Sequence, residues 1–152
     1  MKATRNITET DIDVICDHRR HMFLDAGTAK NRLDEMRQPF REWLTSHLRN
    51  KTYFGFIVEL DAAIIASIGL MAIDWPPHPE HPEEGHRGYV LNLFVEPQYR
   101  GMGIAKGLMG KADDEFLKRG ISFSILHPTA KAKPIYESLG WKTSGEMTKK
   151  LR

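Results

Sequence analysis

The sequence feature that most constrains the fold is the stretch Gly88 to Met109, which reads GYVLNLFVEPQYRGMGIAKGLM. Its first part, Tyr89 to Val95, is apolar except for Asn92 and rich in strand formers, which predicts a strand covered on both faces. Glu96 to Gly103 contains the proline and glycines of a turn. One helical face follows, made by Ile104, Ala105, Leu108, Met109, Ala112 and Phe116. The stretch therefore predicts strand, turn and helix, with backbone N–H groups of the turn pointing toward an anion such as phosphate.

The spacing of the glycines narrows the kind of anion site. A P-loop would need a Gly-Lys-Ser/Thr ending, which is absent, and a Rossmann turn would need a third glycine earlier than Gly107. The pattern Arg/Gln-x-x-Gly-x-Gly/Ala does fit, as Arg100, Gly103 and Ala105, after a strand that ends in Val-x-Pro at 95–97. This segment resembles the acyl-CoA pyrophosphate loop of the GNAT superfamily of N-acyltransferases.

A second segment, Ala132 to Trp141, carries the sequence AKPIYESLGW. It resembles the A-x-x-L-Y-x-x-L-G-F segment of the same superfamily, where a short helix carries a tyrosine and ends at a glycine. The two segments cover the C-terminal half of the chain. The half before Gly88 resembles the superfamily only in its order of elements.

Length and composition predict one domain spanning residues 1–152, with 41% hydrophobic and 28% charged residues. No apolar run is long enough for a membrane span, no signal-peptide pattern is present, and the single cysteine, Cys16, fits a reducing compartment. A net charge of +2 gives no argument for nucleic acid. We therefore expect a cytoplasmic protein that binds neither membrane nor nucleic acid.

The first half of the chain predicts a strand and two helical regions. The strand covers Ala3 to Ile7, and a helix capped by threonine follows to about Leu24. A second helical region runs from Thr28 to Arg49, and Pro39 within it predicts a kink or a division into two helices.

The remaining elements are mostly strands. We predict strands at Tyr53 to Leu60, Ala63 to Ile73, Ile121 to Leu126 and Trp141 to Lys150, the last of which would close the sheet. With the resemblance, this order implies the GNAT fold of the α+β (mixed α/β) class. That fold has a mixed, mostly antiparallel sheet of six to seven strands, splayed at its centre, and about four helices.

Two polar segments have alternative interpretations. The cluster Asp17 to His21 is expected to be a solvated helix face, and the alternative is that part of it borders a substrate site. Loop 74–87 has four prolines and three histidines with acidic neighbours, which suggests a metal site. Because a loop supplies metal geometry poorly, we prefer a lid over the acceptor and expect no metal.

The resemblance also implies site residues. Tyr136 would be the catalytic residue that protonates the CoA sulfur, and strand backbone near Phe94 would donate an N–H to the thioester oxygen. At a position where many relatives have asparagine, this chain has Thr129. The expected acetyl-CoA contacts are Leu93, Phe94, Val95, Arg100, Gly101, Met102, Gly103, Ile104, Ala105, Thr129 and Lys133.

These observations predict an N-acetyltransferase that moves an acetyl group from acetyl-CoA directly to a primary amine on a small molecule or peptide; a homodimer is left open. The alternatives are a non-catalytic acyl-CoA-binding or sensing module and a nucleotide-binding regulatory domain. The sequence identifies no general base. The candidates are Asp25, His78, His81, Glu83, Glu84 and His86.

Overall fold

The computed structural model describes all 152 residues, which form one mixed sheet with helices on both faces. The strands lie in the order β1 (Lys2–Asn6), β2 (Phe54–Leu60), β3 (Ala63–Asp74), β4 (His86–Val95) and β5 (Ser124–Leu126). Only the β4–β5 pair is parallel. The helices are α1 (Ile12–Asp25), α2 (Lys30–Arg49), α3 (Ile104–Lys118) and α4 (Lys133–Ser138), with 3-10 turns at Glu9–Asp11 and Pro97–Tyr99. None of the helices has the length and apolar character needed to cross a membrane.

The predicted helices form, with one correction. A capping box between Thr8 and Asp11 starts the turn that leads into α1. Helix α2 is continuous through Pro39, so the alternative of two separate helices is wrong. Its buried residues Leu33, Phe40 and Leu44 lie on both sides of the proline. Their common apolar face holds both halves of α2 against one surface, which offsets the hydrogen bond that proline cannot donate.

Two apolar cores separate the faces of the sheet. On one face, α3 packs Leu108, Met109 and Phe116 against Ile68 and Val90, and α4 adds partly buried residues at the edge. On the other face, α1 and α2 form a smaller core with Tyr53, made by Ile15, Cys16, Phe40 and Leu44. The sheet is therefore covered on both sides, as the apolar run in β4 predicts.

Strand β4 contains a bulge against β3, and only its first part has a partner on the β5 side. The register against β3 shifts between Ser67 and Gly69, and Asn92 opposite this shift has φ 55°, in the left-handed region. Strand β5 pairs with β4 only from Gly88 to Val90. Strand β5 ends at Leu126, the partner of Val90, so the rest of β4 has a strand partner only on its β3 side. We call this unpaired side of β4 the opening; it lies between the last two strands of the sheet.

The C-terminal segment differs from the prediction. Residues after Trp141 form no strand and are all exposed, so the sheet has five strands rather than six to seven. Residues 142–150 carry lysines, Thr143, Ser144 and Gly145 and lack the apolar alternation that would bury one face of a strand. Strand β5 is also shorter than predicted. It begins at Ser124, and Ile121, where the prediction began the strand, packs in the core before it.

Candidate functional site

The turn between β4 and α3 presents a row of unused backbone donors. Gly101 and Gly103 have φ 76° and 80°, which glycine adopts without strain. A Cβ placed on either glycine would have no atom within 4 Å, so the space beside the turn is open. Six consecutive N–H groups, Gly101 to Lys106, donate to no acceptor in the protein. Together with the N-terminal end of the α3 dipole they supply the donors and the positive field that binding of an anion would need.

Arg100 supports this turn from inside. Its Nε donates to the Val95 carbonyl at 2.8 Å, and one terminal nitrogen lies 2.9 Å from Asp25 at the end of α1. The guanidinium carbon is also 5.3 Å from the centre of the Phe94 ring. These contacts fix the start of the turn against β4 and α1, which holds the unused N–H groups in one orientation.

The open edge of β4 leads directly to the turn. Leu93, Phe94 and Val95 follow the bulge and face no β5 residue. Phe94 and Val95 are buried, so it is their backbone, rather than their side chains, that borders the opening. An amide-containing chain lying in the opening could pair with this edge as an added strand would.

Tyr136 lies on α4, on the same face of the sheet as α3. Its ring is half-buried and meets Trp141 edge-on at 6.3 Å between centroids. The hydroxyl has no hydrogen-bond partner in the protein, and burial raises the pKa of this phenol above its usual range. Tyr136 is therefore a neutral, unengaged proton donor at pH 7.

The two other predicted contacts near α4 differ in their environment. Thr129 accepts a hydrogen bond from the Ala132 N–H at 3.2 Å, so its hydroxyl caps the turn that begins α4. Lys133 is exposed in the first turn of α4 and makes no ion pair. Of the two, only Lys133 has its polar group free.

The opposite face of the opening carries a polar chain that the sequence does not reveal. Arg19 of α1 donates to the Asn92 Oδ1 at 2.6 Å, and the Asn92 amide nitrogen donates to the buried Tyr53 hydroxyl at 3.0 Å. Burial raises the pKa of Tyr53 to about 12. The absence of a side chain at Gly69 makes room for the phenol, because a Cβ there would lie 2.0 Å from its oxygen. The chain ties α1 to the bulge where the sheet opens.

A second polar chain begins on the neighbouring part of β4. The Tyr89 hydroxyl lies 2.8 Å from the His127 Nδ1, and the His127 Nε2 lies 2.5 Å from a Glu146 carboxylate oxygen. Tyr89 pairs with β5 one residue before the strands separate, and His127 directly follows β5. Burial raises the pKa of Tyr89, against the opposing field of Arg19. Phenol, imidazole and carboxylate are thus aligned beside the opening.

The interpretation of Asp17 to His21 as a solvated face is wrong for two of its residues. His18 is only 1% exposed, lies 2.7 Å from the Ser67 hydroxyl, and has its pKa lowered to about 4 by burial. Arg19 is partly buried and faces β4. The sequence does indicate that Arg19 faces inward, because the helical spacing of Ile12, Cys16 and Phe23 places position 19 on the same apolar helix face.

Loop 74–87 is anchored at the far end of β4. His81 is 2% exposed, donates through Nδ1 to the Glu84 carbonyl at 3.1 Å, and accepts from the Arg87 Nε at 2.9 Å. The Glu84 carboxylate accepts from Ser122, just before β5. From His86 to Asn92 the strand runs about 20 Å at about 3.3 Å per residue. These anchors argue against a lid, and they place the histidine and glutamate base candidates of this loop away from the opening.

The family model described as Acetyltransferase (GNAT) family matches residues 13–141, which is most of the chain. The matched residues include the turn at Gly101 to Gly103 and helix α4, which carries Tyr136. The chain belongs to the GNAT family of acetyltransferases. The GNAT fold expected from the sequence is therefore confirmed, with five strands instead of the predicted six to seven.

Two solved acetyltransferase structures are similar over nearly the whole chain. A GCN5-related N-acetyltransferase from Ralstonia eutropha is 43% identical, with a TM-score of 0.97 and 99% of each chain covered. A predicted acetyltransferase from Clostridium acetobutylicum, solved with acetyl-CoA, is 26% identical with a TM-score of 0.89, covering 98% of this chain and 95% of that one. An acetyltransferase from Trypanosoma brucei shares the fold at 20% identity and a TM-score of 0.71, with 98% of each chain covered.

As a GNAT enzyme the chain transfers an acyl group from acyl-CoA. This activity agrees with the sequence prediction of an acyl-CoA-dependent acyltransferase. One side of the opening is bordered by the turn at Gly101 to Gly103, the free edge of β4 and Tyr136. The other side is bordered by the two hydrogen-bonded side-chain networks that begin at Arg19 and at Tyr89.

Proposed function

We propose that this GNAT enzyme moves an acetyl group from acetyl-CoA directly to a primary amine, without an acyl-enzyme intermediate. One observation carries the proposal: the six free N–H groups lie in the turn that follows β4, the strand that has no partner on its β5 side beyond Val90. A thioester anchored by its phosphates at the turn would reach the opening along the edge of β4. The relative solved with acetyl-CoA supports acetyl as the group transferred.

The coenzyme would be held mainly by main-chain atoms. The pyrophosphate would accept from the N–H groups of Gly101, Met102, Gly103, Ile104 and Ala105, where no side chain at Gly103 obstructs it. The pantetheine amides would pair with the edge at Leu93 to Val95. Lys133, with a free ammonium group, and Thr129 would lie near the nucleotide end.

The transfer needs a stabilised oxyanion and a protonated leaving group. The neutral amine attacks the thioester carbonyl carbon, and the developing oxyanion accepts a backbone N–H of β4 near Phe94. When the C–S bond breaks, the thiolate takes the phenolic proton of Tyr136. Tyr136 suits this role because it is neutral at pH 7 and its hydroxyl is not committed to another acceptor.

The Tyr89–His127–Glu146 chain would take the proton that the amine loses. With Glu146 accepting from the His127 Nε2–H, the Nδ1 lone pair accepts from the Tyr89 hydroxyl. The amine proton would move to the Tyr89 oxygen while the Tyr89 proton moves to Nδ1, and Glu146 would stabilise the resulting imidazolium. The phenolate of Tyr89 is therefore never a free intermediate in this scheme.

The test is consumption of acetyl-CoA, and separately of propionyl-CoA, over a panel of amines, polyamines, amino acids and peptides. We expect turnover with at least one primary amine and formation of its N-acetyl product by mass spectrometry. Tight CoA binding by calorimetry without turnover of any amine would instead support the sensing module. Faster transfer from propionyl-CoA than from acetyl-CoA would contradict the acetyl assignment.

A further inference from the structure

We propose that the acceptor amine carries a carboxylate close to its amino group, and that Arg19 binds this carboxylate. This inference rests on the proposed amine acetylation and assigns the acceptor class, an aminocarboxylate. It starts from a cation on the acceptor side of the opening that the protein itself leaves without a counter-charge.

Arg19 has no carboxylate partner, unlike the arginines around it. Arg20, the next residue, pairs with Asp34 at 2.7 Å, and Arg37 pairs with Asp17 at 3.0 Å. Arg19 has a single hydrogen bond, to the neutral amide of Asn92. The charged or titratable groups that influence it are Tyr53, Tyr89 and Cys16, all of which are neutral at pH 7.

The environment of Arg19 makes an unpaired charge unfavourable. Its guanidinium carbon is 5.0 Å from the Phe23 ring centre and 4.6 Å from that of Phe40, so apolar rings cover it. Its Nε is buried with no hydrogen-bond partner. Cation–π contacts offset part of this desolvation, but a partly buried cation without an anion costs stability that a bound anion would restore. We therefore infer that Arg19 serves a ligand as well as the packing of α1.

The position of Arg19 indicates that its anion comes from the acceptor rather than from the coenzyme. Arg19 bonds Asn92 in the bulge itself, and the β4 edge that borders the thioester begins at the next residue, Leu93. A carboxylate on Arg19 would therefore lie beside the strand edge that borders the thioester, and Arg19 is close enough to Tyr89 for its charge to act on that phenol. This placement fits a molecule in which one or two carbons separate the amine from the carboxylate. The coenzyme phosphates would be bound at the Gly101–Gly103 turn, so they do not compete for Arg19.

The experiment compares matched acceptors that differ only in the carboxylate. Each of the twenty L-amino acids, and β-alanine, is assayed beside its amide and its decarboxylated amine. We expect the wild type to prefer the carboxylate member of the best set by about 100-fold in kcat/KM, mainly through KM, as a charge-assisted ion pair implies. Arg19→Met should remove this preference and leave acetyl-CoA affinity unchanged. Arg20→Met, which loses an exposed pair on the same helix, is the matched control and should keep it.

A binding measurement separates this inference from the proposed reaction. Calorimetry with CoA present tests N-acetyl-L-amino acids against their methylamides as product analogues, and needs no turnover. The site is supported if the wild type binds the N-acetyl-L-amino acid but not its methylamide, if Arg19→Met loses this binding, and if Arg19→Lys keeps part of it. This result would support the site even if every amine fails as a substrate. Amine turnover without preference for a carboxylate, or a preference that persists in Arg19→Met, overturns it. If neither acids nor amines bind, both proposals fail.

Discussion

Left-handed backbone at single residues shapes both sides of the site. Gly101 and Gly103 turn the chain so that the following N–H groups converge, and Asn92 lies in the bulge of β4 beside the opening. Asparagine is among the few residues besides glycine that adopt this conformation readily. At Asn92 the side chain also supplies both hydrogen bonds to Tyr53 and Arg19, which glycine would not provide.

Replacing Gly103 by valine should weaken acetyl-CoA binding strongly. A β-branched residue at φ 80° is strained by about 1–3 kcal/mol, so the turn would rearrange and its N–H groups would no longer converge. We expect the dissociation constant measured by calorimetry to rise at least about 10-fold, the equivalent of about 1.4 kcal/mol. Met102→Val is the control, because Met102 is exposed and has no left-handed φ. Equal affinity in the wild type and Gly103→Val would exclude the turn as the phosphate site.

Replacing Tyr136 by phenylalanine removes only the hydroxyl. The ring contact with Trp141 should survive, so CoA binding should not change. General acid catalysis contributes about 10²–10⁴-fold, and we expect a kcat loss of about that order. The loss would be smaller if the thiolate, with a thiol pKa of about 8.5, leaves without assistance. Pre-steady-state kinetics must show that chemistry is the slow step; an unchanged chemical rate would make Tyr136 structural.

At the scale of elements, the packing of Tyr53 against β3 and β4 depends on the absence of a side chain at Gly69. An added Cβ would lie 2.0 Å from the Tyr53 oxygen, and Tyr53 is itself fully packed under α2. We expect Gly69→Ala to lower the free energy of unfolding by about 1–3 kcal/mol, as overpacking does in a rigid site. Urea denaturation measures this change. Gly110→Ala, in α3 with open space around it, should instead stabilise by about 0.5–1 kcal/mol. A neutral Gly69→Ala would mean that Tyr53 can move away.

Elements with local signals could be predicted from the sequence, and those that depend on distant partners could not. Strand β4, its turn and α3 are consecutive, so apolar period and glycine spacing suffice. The chain through Arg19, Tyr53 and Asn92 joins three separate elements, and nothing near Arg19 in sequence reveals the amide it binds. The expected strand after Trp141 was wrong because order alone, without apolar alternation, supported it.

For the whole molecule, buried His18 predicts a loss of stability in mild acid. Burial lowers its pKa to about 4 from 6.5, so the unfolded chain binds the proton more tightly. The stability that neutral His18 contributes is therefore complete above pH 6.5 and is lost as the pH falls toward 4. A shift of this size corresponds to about 3 kcal/mol. His18→Gln, which can still bond Ser67, should flatten the unfolding free energy between pH 6.5 and 4. An unchanged slope in urea titrations across this range would assign the acid sensitivity to other groups.

The row of six N–H groups at the turn affects how far the sequences of related proteins can diverge. Main-chain donors are present whichever side chains the residues carry, so substitution can alter most positions of the turn and leave its donors intact. Drift in the sequence is then limited by backbone conformation at two glycines rather than by residue chemistry. A relative solved with acetyl-CoA is 26% identical to this chain. The acceptor class that we propose depends instead on one side chain, Arg19, so its substitution would change the acceptor while the coenzyme is retained.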